Sequence, residues 1–220
     1  LDIKPDIVIH TAALVDVEVC EKNQKKAYNE NVLSTNNLLK CIDNSTRLIF
    51  ISTIAVYPNV KGPHKEADVG PVNYYGRTKL LCEYKIRKHK NHVILRTVFF
   101  GFSKNKKRVT LCDYLLNSLQ KKISCKLYKD EFFAPVHIKT LACVIGNFIN
   151  SNIRGTFNVA SREGKSKEEF GKYFCKILGF HNPNFLIINA SDDNNRTIRA
   201  LDSRLSPNKL EKALNIKMPS

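Results

Sequence analysis

The chain has 220 residues, enough for one large domain or two small ones around a buried core. The net charge of +16 comes from dispersed Lys and Arg, with short clusters only at 87–90 and 104–108. This pattern is typical of a composition bias on solvated faces; it could help a small anionic substrate approach, but it does not establish nucleic-acid binding. No apolar run reaches the ~20 residues of a membrane span, and seven scattered Cys without a C-x-x-C pattern predict reduced thiols in the cytoplasm rather than disulfides or a zinc site.

In the first half of the chain, apolar runs alternate with helical patterns. Near-continuous apolar runs predict buried parallel strands at 6–12, 47–53 and 92–100. Apolar residues at helical spacing predict helices at about 25–42 and 75–88. This alternation favours right-handed βαβ units, and therefore an α/β fold with a doubly wound parallel sheet.

The second half has a different pattern of apolar residues, which predicts a smaller α+β lobe. "TLCDYLLNSLQKK" and "IKTLACVIGNFI" have helical spacing, whereas "GTFNVAS" is typical of a short strand. Ser166 and Glu169 are spaced as a capping box for another helix. The sequence therefore predicts a first domain at 1–100 and a mainly separate lobe at 101–220, with the helix at 138–150 returning to the first domain.

The pair Tyr75 and Lys79 opens the second predicted helix of the first half. Positions i and i+4 share one helix face, so the phenol and the ammonium project into the same space. A neighbouring positive charge favours the ionised phenol and lowers its pKa. The pair indicates either an acid–base site or a coincidence of spacing, and the pair alone does not decide between these readings.

Four stretches, taken in chain order, show which known family the sequence resembles. "PDIVIHTAA", "NVLSTNNLL", "LIFISTIAVY" and "NYYGRTKLLCE" together resemble the extended short-chain dehydrogenase/reductase family, and more narrowly its branch of dTDP-4-dehydrorhamnose reductases. The resemblance covers essentially the whole chain. It implies a Rossmann-type fold, NADPH or NADH as cofactor, and reduction of a 4-keto sugar nucleotide.

The resemblance also assigns roles to individual residues. It makes Tyr75 the proton donor and Lys79 the residue that holds Tyr75 and the nicotinamide ribose. Thr53, at the end of a predicted strand, would hydrogen-bond the substrate carbonyl oxygen, with Ser52 as the adjacent alternative. Asn31 matches the helix Asn that steadies a water beside Lys79. A reduction needs such groups, because negative charge builds on the oxygen as hydride reaches the carbon.

Weaker expectations concern the walls of the site. Ala12 and Ala13 are expected to pack beside the cofactor, where small side chains let the backbone approach. Arg199 and Arg204 lie in the region that faces the nucleotide sugar in this branch, and either guanidinium could bind a diphosphate. No cluster in the sequence has metal-ligand spacing, although Mg²⁺ assists some members of the branch.

The sequence departs from the family pattern in two informative places. Ile54 follows Thr53, where the branch has Asp, so the identity of the sugar is open. The chain has only nine Gly and no G-x-G-x-x-G turn for a pyrophosphate. We therefore expect a Rossmann-type sheet that is incomplete at its N-terminal side, or else a different fold.

These departures leave two alternatives to a reductase. One is a non-catalytic regulatory or binding subunit like the β subunit of methionine adenosyltransferase, which resembles the same branch. The other is an incomplete chain without activity of its own. A homodimer or a regulatory complex is compatible with each reading.

Overall fold

A computed structural model describes residues 3–105, 109–181 and 183–220, so the predicted basic cluster at 104–108 lies partly outside the described residues. The strands, in chain order, are β1 (Ile7–His10), β2 (Arg47–Thr53), β3 (His92–Thr97), β4 (Phe99–Phe100), β5 (Cys125–Tyr128), β6 (Phe132–Phe133), β7 (Val136–His137), β8 (Gly155–Val159), β9 (Lys165–Ser166) and β10 (Phe185–Ile188). The order β1-β2-β3-β8 forms a fully parallel central sheet, as the sequence predicts.

Eight α-helices surround or extend from this sheet in the described ranges. They are α1 (Val17–Lys22), α2 (Gln24–Ala27), α3 (Ser34–Cys41), α4 (Tyr74–Ile86), α5 (Leu111–Lys121), α6 (Ile138–Ile149), α7 (Lys167–Ile177) and α8 (Asn208–Leu214). A π-helical segment, Tyr28–Leu33, joins α2 to α3, so the predicted helix at 25–42 is one continuous helical stretch with an irregular centre. Among the described residues, no helix is long and apolar enough to span a membrane.

The apolar residues of β2 explain why both faces of the central sheet are covered. Ile49 packs on one face with residues of α6 and α8, whereas Leu48 and Phe50 pack on the other with residues of the π-helical segment and α4. Successive strand residues point to opposite faces, so a continuous apolar run provides core on both sides. The result is a helix–sheet–helix sandwich.

Two elements that follow residue 100 return to the central sheet. Helix α6 does return to the central sheet, where Leu141, Val144 and Phe148 join the core of one face. Strand β8 returns as well and pairs with β3 along its whole length. A five-residue strand carries no sequence signal of its partner, because periodicity reports burial but not neighbours. The second half therefore contributes to both parts of the molecule.

The smaller lobe consists of short paired strands with α5 and α7. Strand β5 pairs in parallel with β10, and β6 pairs in antiparallel fashion with β9. Helix α7 begins with the predicted capping box, since Ser166 Oγ accepts from Glu169 N at 3.1 Å and Glu169 Oε2 accepts from Ser166 N at 2.7 Å. This lobe lies beyond the carboxyl ends of β2 and β3, where parallel sheets of this kind bind ligands.

Candidate active site

Strand β2 carries two hydroxyl side chains to its carboxyl end. Ser52 is buried, and its hydroxyl donates to Glu83 Oε1 at 2.6 Å. Thr53 Oγ1 accepts from Ala55 N at 3.1 Å and so caps the short 3₁₀ turn Ile54–Val56. Because the Ser52 hydroxyl is bound to Glu83, Thr53 is the better placed of the two to meet a substrate.

Helix α4 presents Tyr75 and Lys79 beside that strand end. Asn73 caps the helix by accepting from Gly76 N at 2.9 Å, which fixes where its first turn begins. The helix approaches the turn after Thr53 so closely that a Cβ on Gly76 would lie 2.0 Å from the Ala55 carbonyl oxygen. A residue without a side chain therefore sets the distance between the strand end and the helix.

Lys79 is a buried cation with few partners. Its ammonium donates to the Ile51 carbonyl oxygen at 2.8 Å and lies 4.0 Å from the centre of the Phe50 ring. Burial lowers the pKa of Lys79 to about 8, although the negative charge of Glu83 opposes the shift. An ammonium has three N–H donors, so Lys79 keeps donor capacity for a hydroxyl in the adjoining cavity.

Asn31 lies in the π-helical segment and ties three parts of the site together. Its Oδ1 accepts from Leu14 N at 2.7 Å, and its Nδ2 donates to the Leu14 carbonyl at 3.1 Å and to Thr78 Oγ1 at 2.9 Å. Asn31 therefore holds the loop after β1 against α4, at the residue directly before Lys79. Through its hydrogen bonds to Leu14 and Thr78, Asn31 fixes the position of the helix turn that carries Lys79.

Two cavities meet at Thr53 and Tyr75. One, of about 510 Å³, also contains Lys79, Ser52 and Ala13 in its wall. The other, of about 590 Å³, extends towards the smaller lobe and shares Thr53 and Tyr75 with the first. Both residues are largely buried, each 9% exposed, so the cavities are where their reactive ends are reached. A molecule in either cavity can meet the same two side chains.

The 510 Å³ cavity, which we call the cofactor cavity, suits a nicotinamide group. It lies at the carboxyl ends of β1, β2 and β3, and Lys79 contributes unused N–H donors to its wall. Of the two predicted small residues, Ala13 lines this cavity, whereas Ala12 is exposed in the loop beside it. Within the described ranges, no group of three or more His, Cys, Asp or Glu side chains could hold a metal.

The 590 Å³ cavity, which we call the substrate cavity, contains one of the two predicted arginines. Arg199 lines it, and so does Ile54, the residue that replaces the expected Asp. Arg204 lies outside this lining; its guanidinium binds Asp202 at 2.6 and 2.9 Å. Glu18 of α1 closes the cavity edge by accepting from Thr197 N at 3.1 Å.

Three charged residues near the substrate cavity carry no functional signal in the sequence. Lys167 and Glu131 line the cavity, and Arg196 binds Glu131 at 2.6 Å. Lys167 is the first residue of α7, a position where charged side chains are usually solvated, so its spacing carried no signal. A cation directly after a capping Ser is nevertheless unusual, because the helix dipole disfavours positive charge there.

A buried ion pair lies beneath the site. Arg96 and Glu83 are fully buried, with Arg96 Nη2 2.6 Å from Glu83 Oε2. The pair also binds Ser52 through Glu83 and the Tyr57 hydroxyl through Arg96, the latter at 3.0 Å. Arg96 thus anchors β3 to α4 and to the strand that carries Thr53.

A parallel sheet with Thr at a strand end and a Tyr–Lys pair on the following helix defines a protein of the short-chain dehydrogenase/reductase class. The model of the RmlD substrate binding domain matches residues 1–220. The chain therefore belongs to the RmlD substrate binding domain family.

Relatives with assigned names agree with this membership. The chain is 28% identical over 180 residues to the probable low-salt glycan biosynthesis reductase Agl14 of Haloferax volcanii, with 79% of this chain and 60% of that protein covered. It is 27% identical to the dTDP-4-dehydrorhamnose reductase of Sinorhizobium fredii, with 100% of this chain and 78% of that protein covered. It is also 27% identical to the bovine methionine adenosyltransferase 2 subunit beta, with 82% and 56% covered.

A solved structure shows the same fold. The dTDP-4-dehydrorhamnose reductase of Bacillus anthracis, in complex with NADP, superposes with a TM-score of 0.86 at 24% identity. The match covers 98% of this chain and 77% of that one. The Rossmann-type α/β fold expected from the sequence is thereby confirmed.

Proposed function

We propose that this chain carries the active site of an NAD(P)H-dependent reductase of a 4-keto sugar nucleotide such as dTDP-4-dehydrorhamnose. The observation that supports it best is that Thr53 and Tyr75 form a wall common to two adjoining cavities. A ketone at that wall can be reached from the cofactor cavity on one side while the rest of the substrate fills the other.

The residues of the site have distinct tasks in this proposal. The Tyr75 phenol gives its proton to the substrate oxygen as negative charge builds there. The Lys79 ammonium stabilises the resulting phenolate and hydrogen-bonds a ribose hydroxyl of the cofactor. The Thr53 hydroxyl donates to the same substrate oxygen. The nicotinamide cofactor, when bound, supplies the hydride.

The choice of substrate and cofactor rests on named relatives. The Sinorhizobium fredii relative is a dTDP-4-dehydrorhamnose reductase, and the Bacillus anthracis structure contains NADP. The residues present suit such ligands, since the cofactor cavity has a lysine with unused donors and the substrate cavity has an arginine. Ile54, in place of a carboxylate, makes the sugar contacts beside Thr53 apolar.

The proposal places the reaction in the cytoplasm, with the protein as a homodimer or as part of a regulatory complex. All seven cysteines are free thiols, and five of them are buried: Cys20, Cys82, Cys112, Cys125 and Cys175. Unpaired buried thiols suit a reducing compartment, where nicotinamide-dependent reductions also take place.

Replacing Tyr75 by Phe tests the proposal. Tyr75→Phe removes the proton donor but keeps the ring, so we expect turnover of dTDP-4-dehydrorhamnose to fall by at least ~10²-fold, with nucleotide-sugar affinity unchanged. Tyr74→Phe is the matched control, because Tyr74 is the neighbouring tyrosine and lines neither cavity. Turnover would be followed by NADPH absorbance and affinity by calorimetry. Equal turnover in both variants would reject Tyr75 as the proton donor.

A regulatory-subunit role is the second candidate, and it is favoured only by the similarity to the bovine beta subunit. It predicts copurification with a synthetase and no reduction of any keto sugar by the unmodified protein. The shared wall of Thr53 and Tyr75 beside Lys79 favours the reductase, because a purely regulatory surface has no need for a proton donor facing two cavities.

A further inference from the structure

We propose that Lys167 and Arg199 form an anion subsite in the substrate cavity that binds the diphosphate of the nucleotide sugar, with Lys167 as a specificity-determining residue. This inference rests on the proposed function, because it takes the substrate to be a nucleotide sugar. Both residues line the cavity that contains Thr53 and Tyr75. They extend the site from the reacting ketone to the charged part of the same substrate.

Lys167 faces the cavity with its charge uncompensated by a bound carboxylate. Its ammonium lies 3.5 Å from the centre of the Phe133 ring, and it makes no hydrogen bond to any described residue. Glu131, which influences its charge, is bound to Arg196 at 2.6 Å. A cation that is held by an aromatic ring and has three unused N–H donors is a receptor for an anion.

Arg199 also has unused donors. Its Nε is buried and has no hydrogen-bond partner in the part of the chain that the structure describes. Its Nη2 lies 3.4 Å from Glu18 Oε1, a long contact, while Glu18 itself accepts from the Thr197 backbone N–H. A buried donor without an acceptor costs free energy, which an anion in the cavity would recover.

The two cations offer a diphosphate complementary donor groups in one cavity. The ammonium and the guanidinium together carry two positive charges, and the diphosphate of a nucleotide sugar carries two negative charges spread over four terminal oxygens. A guanidinium binds two such oxygens at once, and an ammonium binds a third as a point charge. Asp16, Glu18 and Glu131 also line this cavity. Glu18 is paired with Arg199 and Glu131 with Arg196, so Lys167 is the cation that a bound anion would compensate.

The electrostatics of Lys167 are consistent with this role. Burial lowers the pKa of Lys167 to about 8, with Arg199 and Arg196 adding to the shift and Glu131 opposing it. Its position at the start of α7 is also unfavourable for a cation and favourable for an anion. Binding an anion beside Lys167 relieves both effects.

Calorimetric titration of the full protein tests the subsite. In Lys167→Met we expect the Kd of dTDP and of UDP to rise roughly 10- to 100-fold, the loss of one charged hydrogen bond. The affinities for thymidine and for NADPH should be unchanged. Lys172→Met is the matched control, because Lys172 is on the same helix and its exposed side chain is paired with Glu168 at 2.5 Å. Lys167→Arg should retain most of the dTDP affinity.

The outcomes separate this inference from the proposed function. If Lys167→Met unfolds, Lys167→Gln serves as the second variant with the same expectation. Unchanged dTDP affinity in a folded variant that still reduces a keto sugar would overturn the subsite alone. A loss confined to NADPH would overturn it too, because the anion would then be the cofactor's diphosphate. If the unmodified protein binds no nucleoside diphosphate or nucleotide sugar, both proposals fail.

Discussion

At the scale of single residues, Ser52 and Thr53 show that two adjacent hydroxyl side chains of one strand can have different surroundings. Ser52 lines the cofactor cavity but donates its hydroxyl to Glu83, whereas Thr53 lines both cavities. Successive residues of a strand face opposite sides, so the two hydroxyls point in different directions. The sequence pattern alone leaves Ser52 and Thr53 as alternatives, because it does not show which hydroxyl is already bound within the fold.

We expect Lys79 to make activity and stability depend on pH in opposite ways. Burial lowers its pKa to about 8, so the ammonium is lost as the pH rises above that value, and turnover should fall with it. The unfolded chain holds the proton up to its ordinary pKa near ~10.4. The unfolded state therefore binds more protons between these two values, and the free energy of unfolding should rise with pH across that window.

Lys79→Met measures this cost. At pH 7 the variant should be inactive but more stable, by on the order of 3 kcal/mol, because a buried charge has been removed. The gain should shrink as the pH rises through the window, which urea unfolding at several pH values would follow. Because both proteins retain Lys167, whose pKa is also about 8, the difference isolates Lys79. A stability gain over the unmodified protein that is no larger at pH 7 than at high pH would contradict the assignment.

Lys167 illustrates what a single sequence hides at this scale. A lysine followed by two glutamates at a helix start is typical of a solvated turn, and its helical position gave no reason to expect otherwise. Only the fold brings β6, with the ring of Phe133, beneath its ammonium. The one indication in the sequence that Lys167 is unusual is electrostatic: it places a cation at the positive end of a helix dipole.

At the scale of secondary-structure elements, α4 and the turn after β2 behave as one unit. The helix contacts that turn through Gly76, whose missing side chain permits the approach. Tyr75 is the preceding residue, and Thr53 precedes the turn. Any separation of the two elements therefore moves Tyr75 away from Thr53.

A pair of glycine substitutions tests this close packing. Gly76→Ala places a Cβ 2.0 Å from the Ala55 oxygen and should cost about 3 kcal/mol or more of stability, with a fall in turnover. Gly146→Ala, in the middle of α6 with no atom within 4 Å of the added carbon, should gain about 0.5–1 kcal/mol. Chemical denaturation compares the two. Equal effects would show that helix propensity, and not the contact with Ala55, controls Gly76.

Most elements were predictable because their signals are local. The strand at 47–53 and the helix "IKTLACVIGNFI" have the predicted bounds, and the Ser166–Glu169 capping box forms as the spacing indicates. The π-helical segment was not predictable, since its periodicity is close to that of the helices around it. The partner of β8 was not predictable either, because strand pairing depends on residues far away in the chain.

At the scale of the whole molecule, the Arg96–Glu83 pair links the layers of the fold. It joins β3 to α4, and through Ser52 and Tyr57 it reaches β2 and the wall of the substrate cavity. Tyr57 in turn donates to Asn158 Oδ1 of β8 at 2.5 Å. A single polar network thus joins three strands of the sheet to the helix that carries Tyr75.

Removing one charge of that pair should be worse than removing both. Glu83→Leu leaves the Arg96 guanidinium buried without its carboxylate, and we expect a loss of about 3–5 kcal/mol. The double variant Glu83→Leu/Arg96→Met removes the unpaired charge and should recover much of that loss. Thermal unfolding of both variants decides the matter. A double variant no more stable than Glu83→Leu would indicate that the network is held by its hydrogen bonds and not by its charges.

The contact between Glu18 and Thr197 has a consequence for how the protein is made. The two residues are 179 positions apart, and they meet at the edge of the substrate cavity. At a translation rate of roughly 5–20 residues per second, the ribosome adds Thr197 many seconds after Glu18. The cavity therefore lacks this edge for most of the time the nascent chain is growing. A closed cavity can thus form only after the segment that carries Thr197 has been synthesised.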